Sequence, residues 1–211
     1  VGGETPAITN ATEEYDGSSW TAGGVYPSSR YGIAALGTQT AGVGFGGYTP
    51  TSATNVTAEY DGSSWTAVNN YPASIVNSGS CGTLTAGLGF GGDVYPTSPR
   101  NSVITAEYDG TNWTSGGNLG TGGYSLKGAG TQTAAAAVGG QGRGSLTEEY
   151  NGVGWSSGGS LNVVSFSHGA AGTQTAGLEF AGGPPNKATT EEYDGSSWTE
   201  SGDLANARRD T

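Results

Sequence analysis

The sequence predicts an all-β protein built from about five copies of one small, four-stranded sheet. Two motifs alternate along the chain in near-identical form: Glu-Tyr-Asp-Gly-x-x-Trp occurs five times, and Gly-Thr-Gln-Thr-Ala with a following Gly-Gly occurs four times. The segments around them are rich in Gly, Thr and aromatic residues and are broken by turn dipeptides, which is typical of short strands. We expect a single domain that covers residues 1–211.

The tryptophans of the first motif set the length of the repeat. They follow one another after 45, 48, 42 and 43 residues. The second motif begins 17 residues after a tryptophan, and the second glycine of its Gly-Gly pair comes 27 residues after it, without exception. All variation in length therefore falls in the loop after the Gly-Gly pair. A period near 43 residues with strand-forming composition predicts the four-stranded blades of a β-propeller.

The second repeat shows how a blade is expected to form. Ala41, Val43 and Phe45 alternate with glycines, so one face of their strand is apolar and the other is bare backbone. We expect each apolar face to cover the glycine face of the next blade, because a neighbouring aromatic ring can lie directly on the backbone there. Turns are expected at Thr38-Gln39 and Asp61-Gly62. The expected strands are Tyr31–Leu36, Thr40–Gly46, Asn55–Tyr60 and a fourth strand around Trp65.

The two ends of the chain are expected to share one incomplete blade. In the register of the repeat, Val1–Gly3 closes a second strand and Ala207–Thr211 opens an inner strand. Eleven residues of that blade, equivalent to 212–222, are then unaccounted for. Either they are missing from a closed ring of five blades, or the array continues beyond both ends as part of a longer or processed chain.

Composition excludes several classes of function. The chain has a net charge of −11, and its seven Lys and Arg residues do not form a stripe, which argues against nucleic acid as a partner. No apolar run approaches the roughly 20 residues that span a bilayer, and no signal peptide is visible. A single cysteine allows no internal disulfide and does not fix the compartment.

The sequence offers no catalytic, metal-binding or cofactor-binding set. His168 and Cys81 fall in inner strands. We expect the histidine to be buried or to line the channel, and the cysteine to be buried as a small apolar residue; one histidine cannot supply a copper site. Glu179 stands where other repeats have Gly44, Gly89 or Ala137, and it could mark a polar site near the axis. A glycosidase needs an opposed pair of carboxylates, and no repeat offers a distinctive pair. We expect a protein that is not an enzyme.

Residues present in every repeat are expected to be architectural. A ring of repeated glutamates could bind a cation, but we favour the interpretation that each one supports its own blade by bonding backbone or a neighbouring side chain. The Asp residues before each glycine turn are expected to accept from their own turn backbone. The repeated glutamates are Glu14, Glu59, Glu107, Glu149 and Glu192. The repeated aromatic residues are Tyr15, Tyr60, Tyr108, Tyr150 and Tyr193, with Trp20, Trp65, Trp113, Trp155 and Trp198.

The loops of variable length are the expected binding surface. In a four-stranded blade they lie on the same side as the connections between blades, and this side is called the variable-loop face below. Tyrosines beside amides and charges suit recognition of carbohydrate or protein, although the tyrosines could instead only pack their own loops. The longest loop, Asp93–Val103, is the strongest candidate. The candidate residues are Tyr26, Tyr48, Tyr71, Asp93, Tyr95, Arg100, Asn101, Gln141 and Arg143.

The repeat resembles the kelch family. An Arg-led inner strand, an apolar strand that ends in Gly-Gly, and a Tyr-Asp pair before Trp form the kelch pattern, and the resemblance implies a β-propeller. The leading arginine is kept at Arg30 and Arg208. The wording of the repeat, EYDGSSWT with GTQTAGLGFGG, also resembles predicted structural and tail proteins of marine bacteriophages. Departures from the kelch pattern are Ile75, Gly123 and Ser165 for the arginine, and Ala181 for the first glycine of a pair.

Three hypotheses for function follow. The first is a non-catalytic module of an extracellular or virion-associated assembly, which binds a surface glycan or a partner protein through the variable-loop face. The second is a purely structural repeat that packs into a larger particle or filament. The third, an enzyme, is the least supported, because the sequence lacks the required constellation.

Overall fold

The computed structural model describes residues 1–4, 7–96 and 100–209, and in these residues every regular element is a β-strand. Strand formation follows from the alternation of small or apolar residues with glycine and threonine between turn sequences. The first eight strands are β1 (Gly3–Glu4), β2 (Ile8–Thr9), β3 (Glu13–Tyr15), β4 (Trp20–Ala22), β5 (Ala34–Thr38), β6 (Ala41–Phe45), β7 (Thr57–Tyr60) and β8 (Trp65–Val68). The next twelve are β9 (Gly79–Thr83), β10 (Ala86–Phe90), β11 (Thr105–Tyr108), β12 (Trp113–Ser115), β13 (Lys127–Thr131), β14 (Ala134–Val138), β15 (Thr147–Tyr150), β16 (Trp155–Ser157), β17 (Gly169–Thr173), β18 (Ala176–Phe180), β19 (Thr190–Tyr193) and β20 (Trp198–Glu200).

The strands form four antiparallel, four-stranded sheets in sequence order. We name them sheet I (β5–β8), sheet II (β9–β12), sheet III (β13–β16) and sheet IV (β17–β20). Two smaller sheets precede them: β1 pairs with β2, and β3 pairs with β4 to form what we call the outer hairpin. The prediction of an all-β protein made of about five repeated units is confirmed at this level.

Strand boundaries in sheet I differ from the expected ones by one to three residues. The inner strand begins at Ala34 rather than Tyr31, because Gly32 adopts a left-handed conformation with φ of 64°. Tyr31 instead makes an isolated antiparallel bridge to Tyr48. The first turn comprises residues 39 and 40, one position later than expected, since Thr38 still pairs with Ala41.

The inner strands pack side by side, so the sheets follow one another around a shared interior. Strand β5 contacts β9, β9 contacts β13, and β13 contacts β17. The glycine faces are covered as expected: a Cβ atom added to Gly89 would lie 2.6 Å from Cζ of Phe45 in the preceding sheet. Backbone and aromatic ring therefore touch directly, and a larger residue at Gly89 would separate sheets I and II.

Two side-chain hydrogen bonds recur at each of the four junctions between neighbouring units. The repeated tyrosine donates to the repeated glutamate of the preceding unit, and the repeated tryptophan donates from Nε1 to a threonine of that unit. Four of the repeated glutamates therefore bond a side chain of the next unit across a junction, whereas we expected each one to support its own blade. The tyrosine pairs are Tyr60 with Glu14, Tyr108 with Glu59 (2.5 Å), Tyr150 with Glu107 (2.6 Å) and Tyr193 with Glu149 (2.7 Å). The tryptophan pairs are Trp65 with Thr12 (2.9 Å), Trp113 with Thr57 (3.1 Å), Trp155 with Thr105 (2.9 Å) and Trp198 with Thr147 (2.9 Å).

The outer turns form as their sequence predicts. Asp61 Oδ1 accepts from the backbone amides of Ser63 and Ser64, both at 2.8 Å. These bonds lower the pKa of the Asp61 carboxyl to about 2. Asp16, Asp109 and Asp194 accept from their own turns in the same way.

The ends of the chain follow the same pattern as the interior repeats. Gly3 donates its amide to the Arg30 carbonyl at 3.0 Å, and Gly182 donates to the Arg208 carbonyl at 3.0 Å. Each Gly-Gly pair is thus hydrogen-bonded to the segment that leads into the next inner strand. Asp210 and Thr211, which belong to the expected shared blade, lie outside the described residues.

Candidate functional site

A cavity of about 300 Å³ opens on the variable-loop face between sheets I and II. The loops that build it begin where each Gly-Gly pair ends its strand, and short bridges hold them: Tyr31 pairs with Tyr48, and Val76 pairs with Asp93. The connections between sheets and the variable loops therefore lie together, as the sequence predicts. The cavity is lined by Tyr31, Tyr48, Val76, Asn77, Asp93, Tyr95 and Arg100.

Aromatic rings form one wall of this cavity. The ring centroids of Tyr31 and Tyr48 lie 5.6 Å apart, and Tyr48 meets Tyr95 edge to face at 5.6 Å. The guanidinium carbon of Arg100 lies 5.2 Å from the centroid of the Tyr95 ring and 5.8 Å from that of Tyr124. Cation–π contacts of this kind orient the arginine without using all of its N–H donors.

An ion pair fixes the position of Arg100. Its Nε donates to Asp93 Oδ1 at 2.9 Å, and its Nη2 donates to Asp93 Oδ2. Asp93 is buried, whereas the Arg100 side chain is 52% exposed. The hydrogen bond to Asp93 raises the pKa of Arg100, so the guanidinium is charged at every relevant pH. Asp93 thus positions the arginine, and the other edge of the guanidinium is exposed to solvent.

Tyr95 separates this cavity from a second one. A cavity of about 290 Å³ lies between Thr51–Ala53 and Tyr95–Pro96, with Ser74 on its wall. Tyr95 is 43% exposed and lines both cavities. The result is a two-part groove, which we call the Tyr95 groove, with an aromatic ring between its halves.

The structure brings only part of the predicted binding set to this groove. Tyr48, Asp93, Tyr95 and Arg100 line it, and Asn101 is adjacent through its bridge to Asp93. Thr97–Pro99, in the centre of the longest loop, lie outside the described residues.

Two predicted tyrosines are placed in the interior instead. Tyr26 is fully buried and donates from its hydroxyl to the Gly44 carbonyl at 2.8 Å. Tyr71 is 1% exposed and donates to the Gly89 carbonyl at 3.2 Å. Their expected place in the binding set is corrected: both pack between sheets, and their hydroxyls are already used.

Arg143 is also buried, and Gln141 lies apart from the groove. The Arg143 guanidinium donates to Glu148 at 2.6 Å and to the carbonyls of Thr121, Gly139 and Ala137. It thereby ties the variable loop of sheet III to the sheet. Gln141 is exposed, and its backbone bridges to Tyr124.

Sheet IV contains buried polar groups of its own. Glu179 is 1% exposed, its Oε1 has no hydrogen-bond partner among the described residues, and it is the cross-strand neighbour of Glu191. The pKa of Glu179 is raised to about 7: burial raises it most, Ser165 lowers it, and the charge of Glu191 raises it while that of Lys187 lowers it. His168 is fully buried, as expected, and burial together with the charges of Lys127 and Lys187 lowers its pKa to about 3.

These groups do not form a metal site or a nucleophile–base pair. In the described part of the chain, no group of three or more His, Cys, Asp and Glu residues is placed to hold a metal ion. Burial raises the pKa of the Cys81 thiol to about 12, so the sulfur is protonated and unreactive at neutral pH. Within residues 1–4, 7–96 and 100–209 there is also no helix that could cross a membrane.

No model of a known protein family matches this chain, and no curated protein matches it either.

Proposed function

We propose that this chain is a non-catalytic β-propeller module that recognises a surface glycan through the Tyr95 groove on its variable-loop face. The observation that carries the proposal is an exposed aromatic ring between two cavities, beside a guanidinium that is held by a buried carboxylate. Ligand sites combine apolar or aromatic walls with a few placed polar groups. A sugar ring can lie on Tyr95 while its hydroxyls accept from Arg100.

The length variation of the loops supports the same conclusion. The Tyr95 groove is built from the variable loops of sheets I and II, while the opposite turns keep one length in every repeat. Loops on a rigid scaffold are where binding residues concentrate. The resemblance of the repeat to phage structural proteins supports a place in an extracellular or virion-associated assembly, with other proteins of that assembly as partners.

A glycan array with matched variants tests this proposal. We expect Tyr95→Ala combined with Arg100→Ala to abolish binding of any glycan that the wild type captures. Both side chains are partly exposed, but the buried Asp93 carboxylate loses its partner, so thermal stability should fall and circular dichroism must show that the variant is folded. Gln39→Ala, on the opposite side and exposed, is the control and should bind normally. Normal binding by the double variant, or lost binding by the control, would place the functional surface elsewhere.

We further propose that the sheets close into a ring of five blades, in which the outer hairpin docks on sheet IV. The outer hairpin and sheet IV each carry the repeated residues of one side of a fifth junction. Among the described residues, these residues do not make the hydrogen bonds seen at the other four junctions. Trp20 of the outer hairpin is 66% exposed, and the Thr190 Oγ1 of sheet IV is buried without a partner among the described residues. Tyr15 donates to its own turn, and Glu192 accepts from nearby Ser201 as its partner among the described residues. Val1 also lines one cavity with Ser167, next to sheet IV, and Ile33 of sheet I.

A coupling measurement tests the closure. In a closed ring, Trp20→Phe and Thr190→Val should have non-additive effects on the free energy of unfolding, as contacting residues do. In an open array the two sites are independent, and Trp20→Phe is close to neutral. Light scattering must show a monomer, since coupling in a dimer would mean that the junction forms between copies and would overturn closure within one chain.

A further inference from the structure

The outer hairpin has a strand edge that is covered in each of the four-stranded sheets. In those sheets the third strand pairs with the second strand on one side and with the fourth strand on the other. Among the described residues, β3 pairs with β4 alone. Just before β3, the Ala11 carbonyl accepts from the Gly2 amide on the side away from β4. Since the backbone groups of a strand alternate between its two sides, those of Glu13 and Tyr15 face this same edge.

A cavity of about 180 Å³ lies along this edge, between the outer hairpin and sheet I, and we call it the hairpin slot. Thr12 and Glu13 of the hairpin line one wall. Ala35 and Gly42 line the opposite wall, which is the glycine face of sheet I. Val1 lines the slot as well. The slot therefore has a strand edge on one side and a bare backbone face on the other.

The junction between sheets I and II shows what fills the matching position there. A Cβ atom added to Gly87 of sheet II would lie 3.0 Å from a methyl carbon of Leu36, on the inner strand of the preceding sheet. At Gly42, the matching glycine of sheet I, the nearest atoms all belong to sheet I itself. An apolar side chain of an occupant has the same place to lie on Gly42 that Leu36 has on Gly87.

Gln39 gives a second, independent indication of an occupant. The matching glutamines of sheets III and IV each donate to two carbonyls of the preceding sheet, one on its second strand and one on its third. The described residues give Gln39 one long hydrogen bond, to Glu14 at 3.5 Å, and it lines the hairpin slot. By this correspondence its acceptors are the Tyr15 carbonyl and a carbonyl of a strand that pairs with β3. The pairs in sheets III and IV are Gln132 with Gly87 (3.0 Å) and Tyr108 (2.9 Å), and Gln174 with Ala135 (3.0 Å) and Tyr150 (2.9 Å).

The backbone beside the slot is already held in place. The Gly2 amide bonds the Ala11 carbonyl at 2.9 Å, and the Gly3 amide bonds the Arg30 carbonyl at 3.0 Å. An occupant from outside therefore meets an ordered edge, and little binding energy is spent on ordering the protein. Strand edges of this kind take up a further strand from another chain.

We propose that the hairpin slot takes up a β-hairpin of a partner protein, with the sequence pattern of residues 34–44 of this chain. One strand of the hairpin pairs with the backbone of Glu13 and Tyr15, and an apolar side chain at the place of Leu36 covers Gly42. Val1 matches Phe45 in the repeat, so a hairpin that ends at the equivalent of residue 44 leaves room for it. The site is independent of the Tyr95 groove and of ring closure, because it is built from the outer hairpin and sheet I.

A synthetic peptide with the sequence of residues 34–44, AALGTQTAGVG, tests the proposal. We expect it to bind the wild-type chain and to raise its thermal midpoint. Binding should also protect the Glu13 and Tyr15 amides from hydrogen exchange. A control peptide carries Leu36→Ser and should bind at least about tenfold more weakly, because its side chain no longer covers Gly42 with apolar surface.

Two glutamine variants of the protein separate binding from folding. Gln39 is exposed and its one hydrogen bond is long, so Gln39→Ala should leave the thermal midpoint of the free protein unchanged. It should weaken peptide binding about fivefold, the effect of one hydrogen bond. Gln174→Ala removes two hydrogen bonds at a junction away from the slot. It should lower the thermal midpoint and bind the peptide as the wild type does.

Several results would overturn the proposal. These are no binding of the peptide, equal binding of the Leu36→Ser peptide, or protection of amides elsewhere but not at Glu13 and Tyr15. Unchanged peptide binding by Gln39→Ala would do so as well. A dimer in light scattering that the peptide converts to monomers would show that a second copy of this chain, and not a partner protein, fills the slot.

Discussion

The connection that leads into each four-stranded sheet is held in one way in sheets I and II and in a different way in sheets III and IV. Six residues after each tryptophan, the connections into sheets I and II carry Tyr-Pro, and those into sheets III and IV carry Leu followed by Gly120 or Asn162. Across from them, the third strand of the sheet has alanine in the first pair and glutamate in the second. These strand residues are Ala58, Ala106, Glu148 and Glu191.

Hydrogen bonding explains why these residues occur in sets. Proline has no N–H, so the connections with Pro27 and Pro72 present no donor there and need no carboxylate. Glu148 instead accepts from the amides of Gly120 (2.7 Å) and Thr121 (3.1 Å). Where the third strand has alanine, space remains for a tyrosine to reach a backbone carbonyl of the second strand.

The difference teaches that the connection residues and the third-strand residue opposite them change together from repeat to repeat. A repeat has either Tyr-Pro with alanine, or Leu and an amide donor with glutamate. The end units obey the same rule: the connection after sheet IV carries Leu204-Ala205, and the outer hairpin carries Glu13 at the matching position. This pairing supports the proposed shared blade, in which Glu13 would accept from amides of that connection.

The largest effect is expected for Glu148→Ala in sheet III. The change leaves two connection amides and the buried Arg143 guanidinium without their carboxylate. Breaking a buried ion pair on one side costs about 3–5 kcal/mol, and equilibrium denaturation in urea would measure it. A loss below about 1 kcal/mol, the scale of an exposed pair, would show that the carboxylate does not support the connection.

A transplanted glutamate should be nearly as harmful in sheet I. Ala58→Glu buries a carboxyl opposite Gly44, beside Tyr26 and the donor-free Pro27, and we expect a loss of about 3 kcal/mol. Adding Tyr26→Leu and Pro27→Gly completes the sheet III set and should recover at least half of this loss. If the added changes make the variant less stable still, the set rule is wrong.

Glu179 adds a pH dependence that is specific to sheet IV. Its pKa of about 7 in the folded chain exceeds the ordinary value of 4.5, so the folded protein keeps a proton that the unfolded chain releases between these pH values. Stability from this group is complete below pH 4.5 and is lost as pH rises through 7, by about 3 kcal/mol, since one pKa unit corresponds to about 1.4 kcal/mol. Glu179→Gln should therefore gain stability relative to the wild type from pH 4.5 to pH 8. Thermal melts at both pH values would measure the difference, and an equal difference at the two would contradict the assignment.

Much of the fold could be predicted from the sequence because the repeat carries it. The fixed spacing of tryptophan, Gly-Gly and Asp-Gly determines the strands and turns. The left-handed backbone at one position of every repeat could not be predicted, because Gly32 and Asn77 hint at it whereas Ser125 and Ser167 do not. The role of Gln132 could not be predicted either. Its side-chain amide donates to the carbonyls of Gly87 and Tyr108 in sheet II, and the sequence pattern does not indicate these hydrogen-bond partners.

The candidate site was predictable in its location but not in its members. Loop length indicates a face, yet the direction of a side chain depends on packing. Tyr48 and Tyr95 point into the groove, whereas Tyr26 and Tyr71, which lie in the connections that lead into sheets I and II, fill space opposite alanine. The alanine at position 58 or 106 is the sequence feature that indicates room for a buried tyrosine. It stands out only when the repeats are aligned with each other, since the other sheets have glutamate there.

The smallest effect is expected for Tyr71→Phe, and it decides between an interior and a ligand-contacting role for this tyrosine. The phenyl ring keeps its stacking on Phe45, at a centroid distance of 4.7 Å, and only the hydrogen bond to the Gly89 carbonyl is lost. One such bond contributes about 1 kcal/mol to stability, so thermal denaturation should show a small but measurable decrease, with glycan binding unchanged. Tyr48→Phe is the matched control: Tyr48 is half-exposed and lines the groove, so stability should stay the same while binding weakens. The opposite result, a stable Tyr71→Phe with impaired binding, would return Tyr71 to the binding surface and would show that its burial between sheets I and II is not maintained in solution.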